Sequence, residues 1–144
     1  VKKMIRFLSI AAPVVYMIAI WIMSSLPHDT IVDLPNNSID RFLKESLHLV
    51  EFAILYGLIV NAFLLNGKLT PLISLTAALF ASFYGLVDEI HQAFVPYRSA
   101  TFIDAIKDVT GVFIAFTIVR YMYFEKKSHI GRIMAAFSEW ARPQ

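Results

Sequence analysis

The stretch "YGLVDEIHQAFVPYR" (residues 84–98) sets Asp88, Glu89, His91, Gln92 and Arg98 against the end of an apolar run. Lys44, His48 and Glu51 form a second such group, and Asp104, Lys107 and Asp108 a third. Side chains of these types have three chemistries open to them. An imidazole beside a carboxylate can act as general base and acid, which makes His48 with Glu51, and His91 with Asp88 and Glu89, the catalytic candidates. The N and O donors of His48, Glu51, Asp88 and His91 could instead hold a divalent metal. Neither His48-x-x-Glu51 nor Asp88-x-x-His91 is an H-E-x-x-H zinc motif, so no cofactor is expected and a divalent metal stays the alternative. Lastly, Arg98, Lys44 and Lys107 could pair with an anionic head group while His48, Glu51, Asp88, Glu89 and Gln92 set its orientation.

The spacing gathers these residues onto helical faces. Lys44, His48 and Glu51 fall at i, i+4 and i+7. Asp88, His91 and Gln92 share a face that continues inwards as Ser74, Ala78, Ala81 and Gly85, small residues that let a neighbouring backbone come close. Asp104, Lys107, Asp108 and Gly111 repeat the pattern, with Ala115 extending it, and Ser24 and Ser25 end the first apolar run. The expectation is a polar cup between helices, formed by Ser25, Lys44, His48, Glu51, Asp88, Glu89, His91, Gln92, Arg98, Asp104 and Asp108. The competing expectation is a set of internal salt bridges and hydrogen bonds that fix helix register. Against it stands cost: an ionisable group at the centre of a membrane helix costs roughly 2.5–3.5 kcal/mol on insertion scales, and such groups usually mark sites.

The elements that must carry the cup are apolar. Of 144 residues, 58% are hydrophobic, and the mean hydropathy is +0.62. Soluble domains are about 45–50% apolar. The excess lies in runs at roughly 7–26, 47–65, 72–87 and 102–124. A hydrocarbon core of ~30 Å takes about 17–25 helical residues to cross, so the third run must borrow 88–92 and draws Asp88 and Glu89 towards membrane depth. The first run is too long for a signal peptide and lacks an A-x-A-like cleavage site, which predicts a retained helix. A formal charge of +2 without a basic stripe argues against nucleic-acid binding. With no cysteine in the chain, disulfides, thiolate ligands and Cys nucleophiles are excluded.

Basic residues mark the cytoplasmic side of membrane helices. Lys2, Lys3, Arg6, Lys68, Lys126, Lys127, Arg132 and Arg142 fall on one side, against Arg41, Lys44 and Arg98 on the other. The predicted fold is an all-α membrane protein, a four-transmembrane-helix bundle with both termini cytoplasmic. Loops 27–46 and 88–101, and with them the cup, would then face outwards. Residues 1–124 form the membrane domain. Residues 125–144 form a tail in which Ile130, Ile133, Met134, Phe137 and Trp140 fall at helical spacing beside basic residues, a short amphipathic helix for the inner leaflet.

"KESLHLVEFAILYGLI" (44–59), "YGLVDEIHQAFVPYRSATFIDAIKDVTG" (84–111) and "WIMSSLP" (21–27) together resemble the VanZ-like family of bacterial membrane proteins. The resemblance covers roughly residues 14–120. Tyr97 stands where the family often has glycine, and Asp108 where many members have asparagine. What the resemblance implies is a multi-pass protein of the bacterial plasma membrane, whose namesake is linked to resistance against the glycopeptide teicoplanin. Such a protein would engage membrane lipids and an amphiphilic ligand at the outer leaflet, a lipid-linked wall precursor or a glycopeptide, in antibiotic resistance or envelope maintenance. The alternatives are an intramembrane hydrolase or transferase acting on a lipid-linked substrate through a His/carboxylate site, and ion- or proton-coupled transport, which four spans without a repeat could support only as an oligomer.

Overall fold

The computed structural model describes residues 1–26, 37–96, 98, 100–125 and 128–141, without the side chains of 37–45 and 48. Tyr97, Lys126, Lys127, Arg142 and the side chains of Arg41, Lys44 and His48 therefore lie outside the described residues. Five α-helices follow in order: α1 (Lys2–Ser24), α2 (Asn37–Leu65), α3 (Pro71–Gln92), α4 (Phe102–Val119) and α5 (His129–Ala141). Between α4 and α5, Arg120–Phe124 widens into a π-helical segment, closed by the Glu125 amide donating to the Arg120 carbonyl at 3.1 Å. No strand occurs among the described residues.

α1 and α3 are each long and apolar enough to cross a membrane, about 33 Å at 1.5 Å per residue. α3 does so by running through Asp88 and Glu89 to Gln92, the extension its short apolar run requires. α2 corrects one expectation. It begins at Asn37, so residues 37–46, predicted as loop, are helical. The physical reason is that hydropathy marks only the apolar part of a helix, Leu49–Leu65 here, whereas hydrogen bonding carries a polar run such as Lys44-Glu45 onward at little cost in propensity.

Each helix end has a local cause. After α2, Gly67 takes a φ of 66°, its amide reaches the Leu64 carbonyl at 3.0 Å, and that of Lys68 reaches Phe63 at 2.9 Å. This is a Schellman closure, which needs a residue at positive φ. The Thr70 hydroxyl then caps α3 by accepting from the Ile73 amide, with Pro71 at the first helical position where its missing N–H is harmless.

α2 is the hub and packs against α1, α3, α4 and α5. Its Phe52, Leu55 and Tyr56 are fully enclosed, with Ile20, Ala77, Ala81 and Val112 from the helices around it. α3 meets this core along Ser74, Ala78, Ala81, Gly85, Asp88 and Gln92, all buried and spaced alternately by four and three residues. Such a seam keeps one face towards its neighbours. Between α2 and α4 the backbones meet at Gly111, where an added methyl group would run into the Leu49 backbone carbonyl. Outside the seams, Phe7, Ile18, Phe83, Ile90 and Phe113 are each more than half exposed. A surface of that kind is far more apolar than a soluble monomer tolerates.

α5 docks on the bundle through small residues. Gly131, Ser138 and Ala141 are buried, and the Ser138 hydroxyl donates to the Leu64 carbonyl at 2.9 Å. Ile130, Ile133, Phe137 and Trp140 remain exposed on the other side. Lys2 Nζ lies 4.9 Å from the Trp140 ring, which joins the two ends of the chain.

Candidate functional site

The polar residues of α3 diverge according to the angle at which the helix presents them. Asp88 and Gln92 stand one turn apart at the end of the small-residue seam, 1% and 2% exposed. Gln92 Nε2 donates to Asp88 Oδ2 at 2.6 Å, and Gln92 Oε1 accepts from Arg98 Nε at 3.0 Å. Arg98 Nη1 also donates to the carbonyls of Met23 and Leu26, at 3.1 and 3.0 Å. One guanidinium therefore ties the turn after α3 to the end of α1 and, through Gln92, holds a buried carboxylate in place. Arginine suits the task because its fork presents several fixed donors at once.

Asp88 Oδ1, by contrast, is buried and has no hydrogen-bond partner among the described residues. Nearly all buried polar atoms in folded proteins have a partner, so an acceptor left open among the described residues marks a place where a hydrogen-bond donor can be taken.

His91 lies on the flank of this face. It is half-buried, and its ring stacks on Trp21 of α1 with centroids 3.9 Å apart and planes 8° from parallel. Its Nδ1 has no hydrogen-bond partner among the described residues. His91 and Asp88 make no hydrogen bond with each other; the one is held by an aromatic face and the other by an amide.

From α4, Asp108 is fully buried and its Cβ lies against Gly85 of α3, one turn below Asp88. Glu89 is 7% exposed, and Glu51 on α2 is half-buried. Three buried carboxylates thus belong to the α3 and α4 ends of the bundle, and the described part of the site is rich in acceptors. Arg98, tied to Asp88 through Gln92, is already committed to three oxygens.

Two expected members lie apart. Ser25 is exposed and its hydroxyl bonds to the Trp21 carbonyl one turn back. A serine near a helix end often turns to its own backbone in this way. Asp104 belongs to the start of α4, where Thr101 caps the Asp104 amide at 3.2 Å and donates to Asp104 Oδ2 at 2.6 Å. Lys107 closes the group with a 3.0 Å ion pair to Asp104 Oδ1. The signal was present, since Thr-x-x-Asp before an apolar run is a capping pattern. Lys44 and His48 extend the α2 face at positions whose side chains lie outside the described residues.

Four contributors were not singled out from the sequence. Trp21 supplies the platform for His91, and Met23 and Leu26 supply backbone carbonyls to Arg98. The Tyr84 hydroxyl donates to the Met17 carbonyl at 2.9 Å and pins α3 to α1 below the site. A backbone acceptor leaves no trace in residue type; Trp21, in the "WIMSSLP" stretch, was the one legible signal.

No group of three or more His, Asp or Glu side chains able to hold a metal ion occurs among the described residues. What the described groups can do is fix an external hydrogen-bond donor between a positioned carboxylate and an aromatic-backed imidazole. No curated protein and no solved structure matches the chain. A family model does: it matches residues 7–124, which include every described member of the site, and the chain belongs to the VanZ/LLP1 family.

Proposed function

We propose that this protein is a multi-pass protein of the bacterial plasma membrane in which α1 to α4 cross the bilayer with both termini cytoplasmic. The Asp88–Gln92–Arg98 end of the bundle then faces outwards. There it binds an amphiphilic ligand of the outer leaflet, a lipid-linked wall precursor or a glycopeptide, and so contributes to antibiotic resistance or envelope maintenance. Family membership supports the membrane setting and the link to resistance. The placement of basic residues supports the orientation.

The observation that carries the binding reading is the open Oδ1 of Asp88, an acceptor held at 1% exposure by a partner on its other oxygen. With Arg98 engaged by oxygens of the protein itself, the recognised group is a donor (a hydroxyl, amide N–H or ammonium) rather than an anion. In this reading Glu51, Glu89, His91 and Asp108, from α2, α3 and α4, are the further residues that line the site.

The test is Asp88→Asn, which keeps the shape and replaces a charged acceptor by a neutral amide. A hydrogen bond to a charged group contributes about 1.5–3 kcal/mol, so affinity for a lipid-linked precursor or for teicoplanin should fall about tenfold or more. Binding would be measured by intrinsic fluorescence in detergent, alongside the thermal midpoint of each variant. If Asp88→Asn stabilises the protein and leaves affinity untouched, the cluster fixes helix register and the binding reading fails. Turnover of the precursor by the unaltered protein in the same assay would move the site from binding to catalysis.

A further inference from the structure

A second site presents itself at the other end of the bundle, about 24 Å from Asp88 along α3. A groove of about 590 Å³ runs between the start of α3 and the end of α4. Leu72, Leu75, Phe116 and Phe124 wall it, and Arg120 and Glu125 are its charged members.

The π-helical segment builds this groove. In a 3.6-residue helix, residues four apart drift steadily around the axis. Widening to i→i+5 at Arg120–Phe124 takes up that drift, so Phe116, Arg120 and Phe124 stay in one row. Such insertions are frequent at functional sites.

The Arg120 side chain is exposed and makes no hydrogen bond or ion pair with the described residues. The start of α3 beside it, at Pro71 and Leu72, adds the positive end of a helix dipole. Glu125 follows one π turn later, so a cation and a carboxylate both line the apolar trough. Leu72 and Leu75, 69% and 44% exposed, continue the trough onto the apolar outer surface.

We infer that this groove holds one phospholipid whose head group carries both a phosphate and a primary ammonium, of the phosphatidylethanolamine type. Arg120 and the α3 terminus take the phosphate, Glu125 takes the ammonium, and an acyl chain lies along Leu72, Leu75, Phe116 and Phe124. A purely anionic head group would face Glu125 with a like charge. A quaternary choline would offer it no N–H donor. The inference is independent of the ligand bound at Asp88.

The experiment is lipid retention by the purified full chain in native mass spectrometry. The probes are phosphatidylethanolamine, phosphatidylglycerol, phosphatidylcholine and diacylglycerol with identical acyl chains. Phosphatidylethanolamine should be retained several-fold more than the other three. Arg120→Gln should cut its retention several-fold, and Glu125→Gln should erase the preference over phosphatidylcholine while keeping retention itself. Leu75→Trp, which fills the trough, should abolish retention of all. Both charged residues are exposed, so unchanged helicity and melting would verify the fold of their variants. Equal retention of all four lipids, preference for phosphatidylglycerol, or an Arg120→Gln variant that retains lipid normally would overturn the assignment.

Discussion

Arg98 spends its donors on the protein itself. Three hydrogen bonds run from its guanidinium to Gln92, Met23 and Leu26. Arg98→Ala should therefore cost about 1–3 kcal/mol, the range for lost charge-assisted bonds at a half-exposed position, read as a lower thermal midpoint in detergent. Arg98→Lys should recover part of the loss, because a single ammonium cannot span the same three acceptors. If Arg98→Ala leaves stability unchanged but removes ligand binding, the residue contacts the ligand directly and its positioning role is wrong. Residue type alone pointed to a head-group clamp, since an arginine beside a membrane normally meets anions. Its bonds to the carbonyls at the end of α1 were not legible, because any residue could provide them. Asp88 was more legible, because it repeats the four-and-three spacing of Ser74, Ala78, Ala81 and Gly85 and so had to share their buried face. Ser25 and Asp104, both expected in the cup, bond locally for a common reason. Each satisfies a nearby backbone or capping demand that competes with any longer-range role.

At the level of the helix pair, α2 and α4 touch backbone to backbone. Gly111 permits this, since a Cβ there would collide with the Leu49 carbonyl, an immovable part of the α2 ladder. Gly111→Ala should push the helices apart and cost about 1–3 kcal/mol, the usual penalty of overpacking. The shift would act one turn from His48 and Glu51, so ligand affinity should fall together with the thermal midpoint. An alanine variant that melts like the parent would show that the pair is looser than the geometry implies. The same expectation was readable in the sequence, where Gly111 and Ala115 continue the Asp108 face. The early start of α2 was not, because the polar residues at its beginning have no apolar period to announce them. The π segment was equally silent. Its single extra residue is absorbed within the stretch "RYMYF", aromatic and apolar after its arginine, which carries no breaker.

Taken whole, the molecule has a polar end at Asp88 and a basic, tail-covered end at Lys68 and α5, separated by helices whose outer faces are apolar. The four-span arrangement has a direct check in a chain that contains no cysteine of its own. Phe94→Cys, at a position 83% exposed beyond α3, should react with an impermeant maleimide on intact cells. Lys68→Cys, exposed in the turn between α2 and α3, should react only after permeabilisation. The reverse pattern would invert the protein and place its acceptor-rich end in the cytoplasm.

The tryptophans give this polarity an optical counterpart. There are two in the chain, Trp21 and Trp140. One lies flat on His91 at the candidate site, and the other sits under Lys2 on the docked tail. Each end of the bundle thus carries its own built-in fluorophore. With either one replaced by phenylalanine, emission from the survivor reports on one end alone, so ligand arrival and tail release can be followed separately without attaching a dye.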